Sequence, residues 1–118
     1  MQRKFRLARS EDFKRVRRSG KSYAHPLVVL IVQTYDQPRM HTRVGVAAGR
    51  TVGTAVYRNR AKRLLREAMR TLIPDTASGL DLILIARPGL VSATLEDTSR
   101  ALLNLLQRAQ IFIPRHEP

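Results

Sequence analysis

The spacing of apolar and polar residues changes several times along the chain, and each change predicts an element. Ser10 can cap a first helix running to about Ser19, with Glu11 and Asp12 at its positive end and Arg17 and Arg18 at its negative end. Phe13 and Val16 share one face of that helix, and Gly20 suits a left-handed C-terminal cap. The next stretch, from Ser22 to Tyr35, is rich in β-branched and aromatic residues. Pro26 breaks it into a short strand at Ser22–Ala24 and a longer one from about Leu27 to Tyr35. Asp36-Gln37-Pro38 reads as a turn, and a further strand runs from Thr42 to about Ala48. Gly49 and Gly53 punctuate the loop that follows.

The second helix has the clearest pattern. Tyr57, Ala61, Leu64, Leu65, Ala68 and Leu72 form one apolar stripe between a capping Thr54 and a terminating Pro74. That predicts a helix over 55–72, about 27 Å long. A strand from Leu80 to Ala86 comes next and ends at the turn Pro88-Gly89. A last helix runs from about Thr94 to Ala109, with Thr98, Ala101, Leu102, Leu105, Leu106 and Ala109 on one side. Thr94 and Asp97 have the spacing of a capping box. The order α-β-β-β-α-β-α predicts a single α/β (α+β) two-layer sandwich, with helices packed on one sheet.

Length and composition fit that picture. The 118 residues suit one domain over 1–118, with flexible ends at about 1–8 and 113–118, and 43% hydrophobic residues can fill one modest core. There is no cysteine, which excludes disulfides and thiolate metal ligation. The basic start MQRKFRLARS leads into no apolar stretch, as a secretory signal would. The longest apolar run, Leu27 to Val32, falls far short of the ~20 residues that span a bilayer. The expectation is a soluble, cytoplasmic protein with no membrane partner.

Charge adds the first functional clue. The net charge is +13, from 22 Lys and Arg against 9 Asp and Glu, and it is unevenly placed. Residues 1–66 hold 17 basic and 3 acidic side chains, whereas 67–118 hold 5 and 6. Such self-repulsion calls for a polyanionic partner. No helix pairs a basic face with exposed Trp or Phe, so nucleic acid fits better than a membrane surface.

The second helix concentrates this charge. Lys62, Arg63, Arg66 and Arg70, with Asn59 among them, lie about 100–200° around the helix from the apolar stripe, while Arg58 and Arg60 flank it. Arg can grip phosphate with two parallel hydrogen bonds, Lys adds point charge, and Asn can read a base edge or hold a neighbouring Arg. Glu67 is the only acid on this helix, so internal salt bridging cannot explain the ridge.

These residues also carry a resemblance. The segment AVYRNRAKRLLREAMR at 55–70, with Gly53 just before it, resembles the signature of the bacterial ribonuclease P protein. Arg43-Val44-Gly45, Ser10-Glu11-Asp12-Phe13 with Gly20, and Leu82 to Arg87 also match in order and spacing, over roughly residues 3–109. The resemblance implies a four-stranded mixed sheet with a left-handed β-α-β crossover, where periodicity alone favours a right-handed one. It implies a protein that assists a catalytic RNA in removing the 5′ leader from precursor transfer RNA, improving substrate and metal affinity. By the same resemblance Arg58, Asn59, Arg60, Lys62, Arg63 and Arg66 face RNA, joined by Arg43 and Arg50, and Phe13, Arg17, Val29 and Ile31 line a leader cleft. The implied partners are the catalytic RNA and precursor transfer RNA, with no protein partner required. Mg²⁺ is implied for the RNA subunit and no cofactor for the protein. The chain departs from the family in three places. Arg17 stands where many relatives have an aromatic, Ile31 where some have Tyr, and Arg50-Thr51 replaces a common Lys-Lys pair. With 5% aromatic residues it can stack few bases.

Catalysis by the chain itself is not expected. His25, His41 and His116 lack metal-ligand spacing, and Asp75, Asp81, Glu96 and Asp97 are scattered. Gly45, Gly49 and Gly53 lack the Lys-Ser/Thr ending of a phosphate-binding loop. Two rival readings make different predictions. A ribosomal-protein-like or chaperone-like module would bind ribosomal RNA without preferring a 5′ leader. A metal-dependent protein nuclease would cleave RNA unaided.

Overall fold

The computed structural model describes residues 2–35 and 41–114. Its elements are α1 (Ser10–Ser19), β1 (Lys21–Ala24), β2 (Val28–Gln33), β3 (Arg43–Ala48), α2 (Ala55–Leu72), β4 (Asp81–Ala86) and α3 (Leu95–Arg108). The turn expected at Asp36-Gln37-Pro38 and the end of the C-terminal tail lie outside the described residues. The sheet order is β1-β2-β4-β3, with β1–β2 and β2–β4 antiparallel and β3–β4 parallel. It is a four-stranded mixed sheet, and α2 makes the crossover between its two parallel strands.

Alternation along the strands separates two faces. Val28, Leu30, Val32, Val44, Leu82, Leu84 and Ala86 point into the main core. There they meet Ala61, Leu65, Ala68 and Met69 of α2 and Ala101, Leu102, Leu105 and Leu106 of α3. Val29, Ile31, Ile83 and Ile85 point the other way, where α1 covers part of the sheet with Phe13 and Val16. α1 thus lies across the sheet from α2 and α3. Arg6 bridges to Val44, and Leu7 donates its N–H to the Val44 carbonyl while burying its side chain. Residues 6 and 7, expected in a flexible end, are therefore docked on the β3 edge, because pairing satisfies backbone groups that an edge strand leaves open.

Three caps differ from expectation, one of them Thr54, which holds the N-cap position of α2 without a side-chain capping hydrogen bond. Gly20 is extended (φ −85°, ψ 165°) rather than left-handed. Its value is space: a Cβ there would lie 2.6 Å from the Val16 carbonyl oxygen and 2.7 Å from Ile31 Cγ2. Arg9 occupies the N-cap position of α1, and no side chain caps that helix end. At α3 the expected capping box forms. Asp97 N–H donates to Thr94 Oγ1 at 3.0 Å, and Thr94 N–H donates to the Asp97 carboxylate at 3.2 Å. The hydrogen bond from the Thr94 backbone holds the Asp97 carboxyl below the usual carboxylate range. Its stabilisation is therefore complete above the ordinary aspartate range and is lost as pH falls through the depressed value. Thr94→Ala is expected to lower stability by about 1 kcal/mol at neutral pH. Urea unfolding of both proteins measures that gap, and the corresponding gap for Asp97→Ala should narrow in strong acid, because that variant removes the titrating carboxylate.

Candidate nucleic-acid interface

The outer face of α2 carries the ridge. Asn59, Arg60 and Arg63 are exposed, and Arg58, Lys62 and Arg66 are half-buried along the helix. Asn59, Lys62, Arg63 and Arg66, with Val56, line a shallow depression of about 400 Å³ that contains no acidic side chain. The first turn of α2 has no acidic residue either, so Arg58 and Arg60 sit unopposed at the positive end of the helix dipole. Glu67 is already engaged: Arg70 Nη2 donates to it at 2.8 Å and holds its carboxyl below the usual range. Arg70 is therefore partly neutralised, a refinement of the ridge read from the sequence. None of Arg58, Arg60, Lys62, Arg63 and Arg66 has an acidic partner among the described residues. The helix is stabilised by its buried side, and its outer side holds like charges that only an external anion can offset.

The approach to α2 extends this surface. Arg50 is exposed in the 3₁₀ turn Arg50–Val52, which leads through Gly53 into the helix. Gly53 has φ +135°, a conformation that excludes a side chain without strain, so the sharp entry to α2 requires glycine.

Arg43 is placed differently from the expectation that it faces RNA. Its guanidinium donates twice to Asp81, from Nε at 3.0 Å and from Nη2 at 2.9 Å. That bond holds Arg43 protonated above its ordinary range. Asp81 is fully buried and also accepts from Arg15 Nη2 at 2.6 Å and from the Tyr35 hydroxyl. Arg15 reaches back to Asp12 at 2.6 Å and across to Gln33 at 3.1 Å. This cluster fastens α1 to three strands, so the structure commits Arg43 to a buried ion pair in preference to an exposed phosphate contact. The sequence signal for it was Asp81 itself, a carboxylate at the head of an apolar strand.

Beside α1, Phe13, Val29 and Ile31 come together with Leu7, Val16, Ile83 and Ile85. Phe13 lies over Gly45, where a Cβ would sit 2.5 Å from its Cζ. Ile31 is buried under the helix, whereas Val29 and Ile85 remain partly exposed next to it. Arg17 is exposed near the C-terminal end of α1. Three of the four expected cleft residues therefore share one apolar cluster, but Ile31 offers little surface. Ile85 joins the open part of the floor. Sequence reading missed it because β4 is apolar on both faces, and only the register pairing Val29 with Ile85 reveals its side.

A helix with an exposed cationic face, whose single acid Glu67 is engaged by Arg70, on a mixed α/β sheet defines a protein that binds RNA or another polyanion through that face. Comparison with known proteins agrees. The family model described as Ribonuclease P matches residues 1–110. The ribonuclease P protein component of Herpetosiphon aurantiacus is 42% identical over 118 residues, covering 100% of this chain and 94% of that protein. That of Brevibacillus brevis is 39% identical over 112 residues, covering 95% and 88%. The solved RNase P protein of Staphylococcus aureus superposes with a TM-score of 0.80 at 28% identity, covering 92% of this chain and 97% of that one. The chain belongs to the ribonuclease P protein family, the RNA-binding subunits of the ribonucleoprotein that processes transfer-RNA 5′ ends.

Proposed function

We propose that this chain binds the catalytic RNA of ribonuclease P through the outer face of α2, and the 5′ leader of precursor transfer RNA beside α1. In this reading it works in the cytoplasm, and it raises the affinity of the ribonucleoprotein for substrate and for the metal that the RNA needs. The observation that carries the reading is the row Arg58, Arg60, Lys62, Arg63 and Arg66, five cations on one helix with no acidic partner among the described residues. The Phe13, Val29 and Ile85 floor, with Arg17 nearby, supports the leader contact. Mg²⁺ belongs with the RNA. Among the described residues no three His, Asp or Glu side chains gather to hold a metal ion. The chain's own work is holding phosphates and bases.

The test is reconstitution. The purified chain, a bacterial ribonuclease P RNA and a precursor transfer RNA are combined at low magnesium, and 5′-leader cleavage is compared with each component alone. Cleavage that requires both RNA and protein is the expected result. Binding to the RNA without promoted cleavage would shift the assignment to a ribosomal or chaperone-like role. In the same assay Arg60→Ala or Arg63→Ala should weaken RNA binding while leaving the melting temperature almost unchanged. A large loss of stability would show those side chains to be structural.

A further inference from the structure

The apolar period places Tyr57 in the core stripe of α2, but the core begins only at Ala61. None of residues 55–60 has a buried side chain. Tyr57 is 48% exposed and Val56 72%, and Leu95 at the start of α3 is 43% exposed. These are three of the four large apolar side chains exposed among the described residues, and all three border the cationic ridge. Val56 lines the depression with Asn59, Lys62, Arg63 and Arg66. Leu95 lines a second one, of about 460 Å³, with Arg60, Arg63, Leu64 and Glu67. Arg63 contributes to both, so it forms the crest between them. Tyr57 lies one turn before Arg60 and Ala61 on the same side of the helix. Its ring rests against Gly53, where a Cβ would lie 3.1 Å from Tyr57 Cδ2. The bare glycine lets the ring settle in one place while half of the residue stays open to solvent.

We propose that the head of α2 takes an unpaired stretch of RNA, with one base stacked on Tyr57 and the adjoining phosphates held by Arg58, Arg60 and Arg63. The inference rests on the α2 face being the RNA-binding surface and names the kind of RNA it prefers. A paired A-form helix turns its phosphates outward and keeps its bases inside, so it would set charge against Val56 and Tyr57 and gain nothing from either. An unpaired segment offers both a phosphate for each cation and a ring face for the tyrosine. A protein partner is disfavoured by the charge pattern: the apolar patch lies among Arg58, Arg60, Lys62 and Arg63, with no acid in the first turn and the bordering Glu67 already engaged by Arg70, which matches a polyanion.

The experiment measures binding of the full chain to two RNAs with equal numbers of phosphates, a hairpin with a long unpaired loop and a fully paired duplex, over a salt series. The loop RNA should bind more tightly. Tyr57→Leu should weaken loop binding by about 5- to 150-fold. It should leave duplex binding and the salt slope unchanged, because no charge is lost. Tyr57→Phe should keep full affinity. An abasic site at the stacked nucleotide should remove the same increment from the native protein and nothing further from Tyr57→Leu. Abasic scanning on the native chain needs no protein variant, so it decides the question even if Tyr57→Leu folds poorly. Equal binding of loop and duplex, or a scan with no sensitive position, would overturn the proposal. Arg63→Gln separates the two ideas. If it lowers affinity and slope while the scan is flat, the ridge binds RNA but Tyr57 seats no base. If it changes neither, the underlying reading of the α2 face fails as well.

Discussion

Between about 50 and 200 mM salt, the affinity of this chain for RNA should fall by roughly 10³- to 10⁵-fold, as expected for six to ten phosphate contacts on a duplex. Each phosphate neutralised by a bound Arg or Lys releases condensed counterions, and added salt reverses that gain. Arg50, Arg58, Arg60, Lys62, Arg63 and Arg66 supply six such contacts on and before α2, which sets the lower end. The upper end requires the other side of the sheet as well, where Arg9, Lys14, Arg17 and Arg18 are also exposed. The size of the slope therefore reports whether one face or both engage RNA. Replacing Arg63 by Gln should reduce the slope by about one, with little change in melting temperature. Equilibrium binding across a salt series is the measurement, and a nearly flat response would remove the electrostatic basis of the interface.

The parts legible in the sequence are those fixed by local chemistry. The limits of α2 follow from the apolar period and Pro74, and the observed helix spans the same Ala55–Leu72, with Thr54 at the N-cap position but without a capping hydrogen bond from its hydroxyl. The Thr94–Asp97 spacing gives the start of α3 and its capping box. The ridge follows from 3.6-residue geometry alone, because no distant contact is needed to keep Arg60 and Arg63 in water. Features that depend on distant pairing were not legible. The run Val28–Gln33 is buried on both faces, so it shows no alternation to say which residues meet α1. The partner of Arg43 lies 38 residues away, so a basic residue near a basic segment read as a phosphate contact. Tyr57 obeyed the period of the stripe, yet the core does not extend as far as the head of the helix. Gly20 looked like a turn residue, when its role is to let α1 and β2 approach closely.

Removing the carboxylate of Asp81 should be among the most damaging single changes in the fold, since it takes away one member of a buried ion cluster and leaves the others. Asp81→Ala should cost about 3 kcal/mol, the low end for breaking a buried pair. The low end applies because the side chains of Arg15 and Arg43 are 29% and 23% exposed and can turn partly toward water, whereas Asp81 is at 0%. The loss has three sources. Arg43 forfeits both bonds of its fork, Arg15 loses the acceptor that ties α1 to β4, and the Tyr35 hydroxyl loses its bond to Asp81. The row Gln33, Asp81 and Arg43 runs across three neighbouring strands under α1, so the cluster fixes both the strand pairing there and the seat of the helix. Urea unfolding of the full chain measures the first effect, and faster hydrogen exchange confined to Ser10–Ser19 would report the second. A further variant tests whether the charges or merely the filled volume matter. Replacing Asp81 by Leu together with Arg15→Met, Arg43→Met and Asp12→Asn, so that Asp12 is not left as an unpaired charge, should restore most of the lost stability, since uncharged side chains avoid the desolvation that the ions incur. If Asp81→Ala costs less than about 0.5 kcal/mol, as a surface change would, the cluster is too well solvated to anchor α1, and the apolar contacts of Phe13 and Val16 alone hold that helix on the sheet.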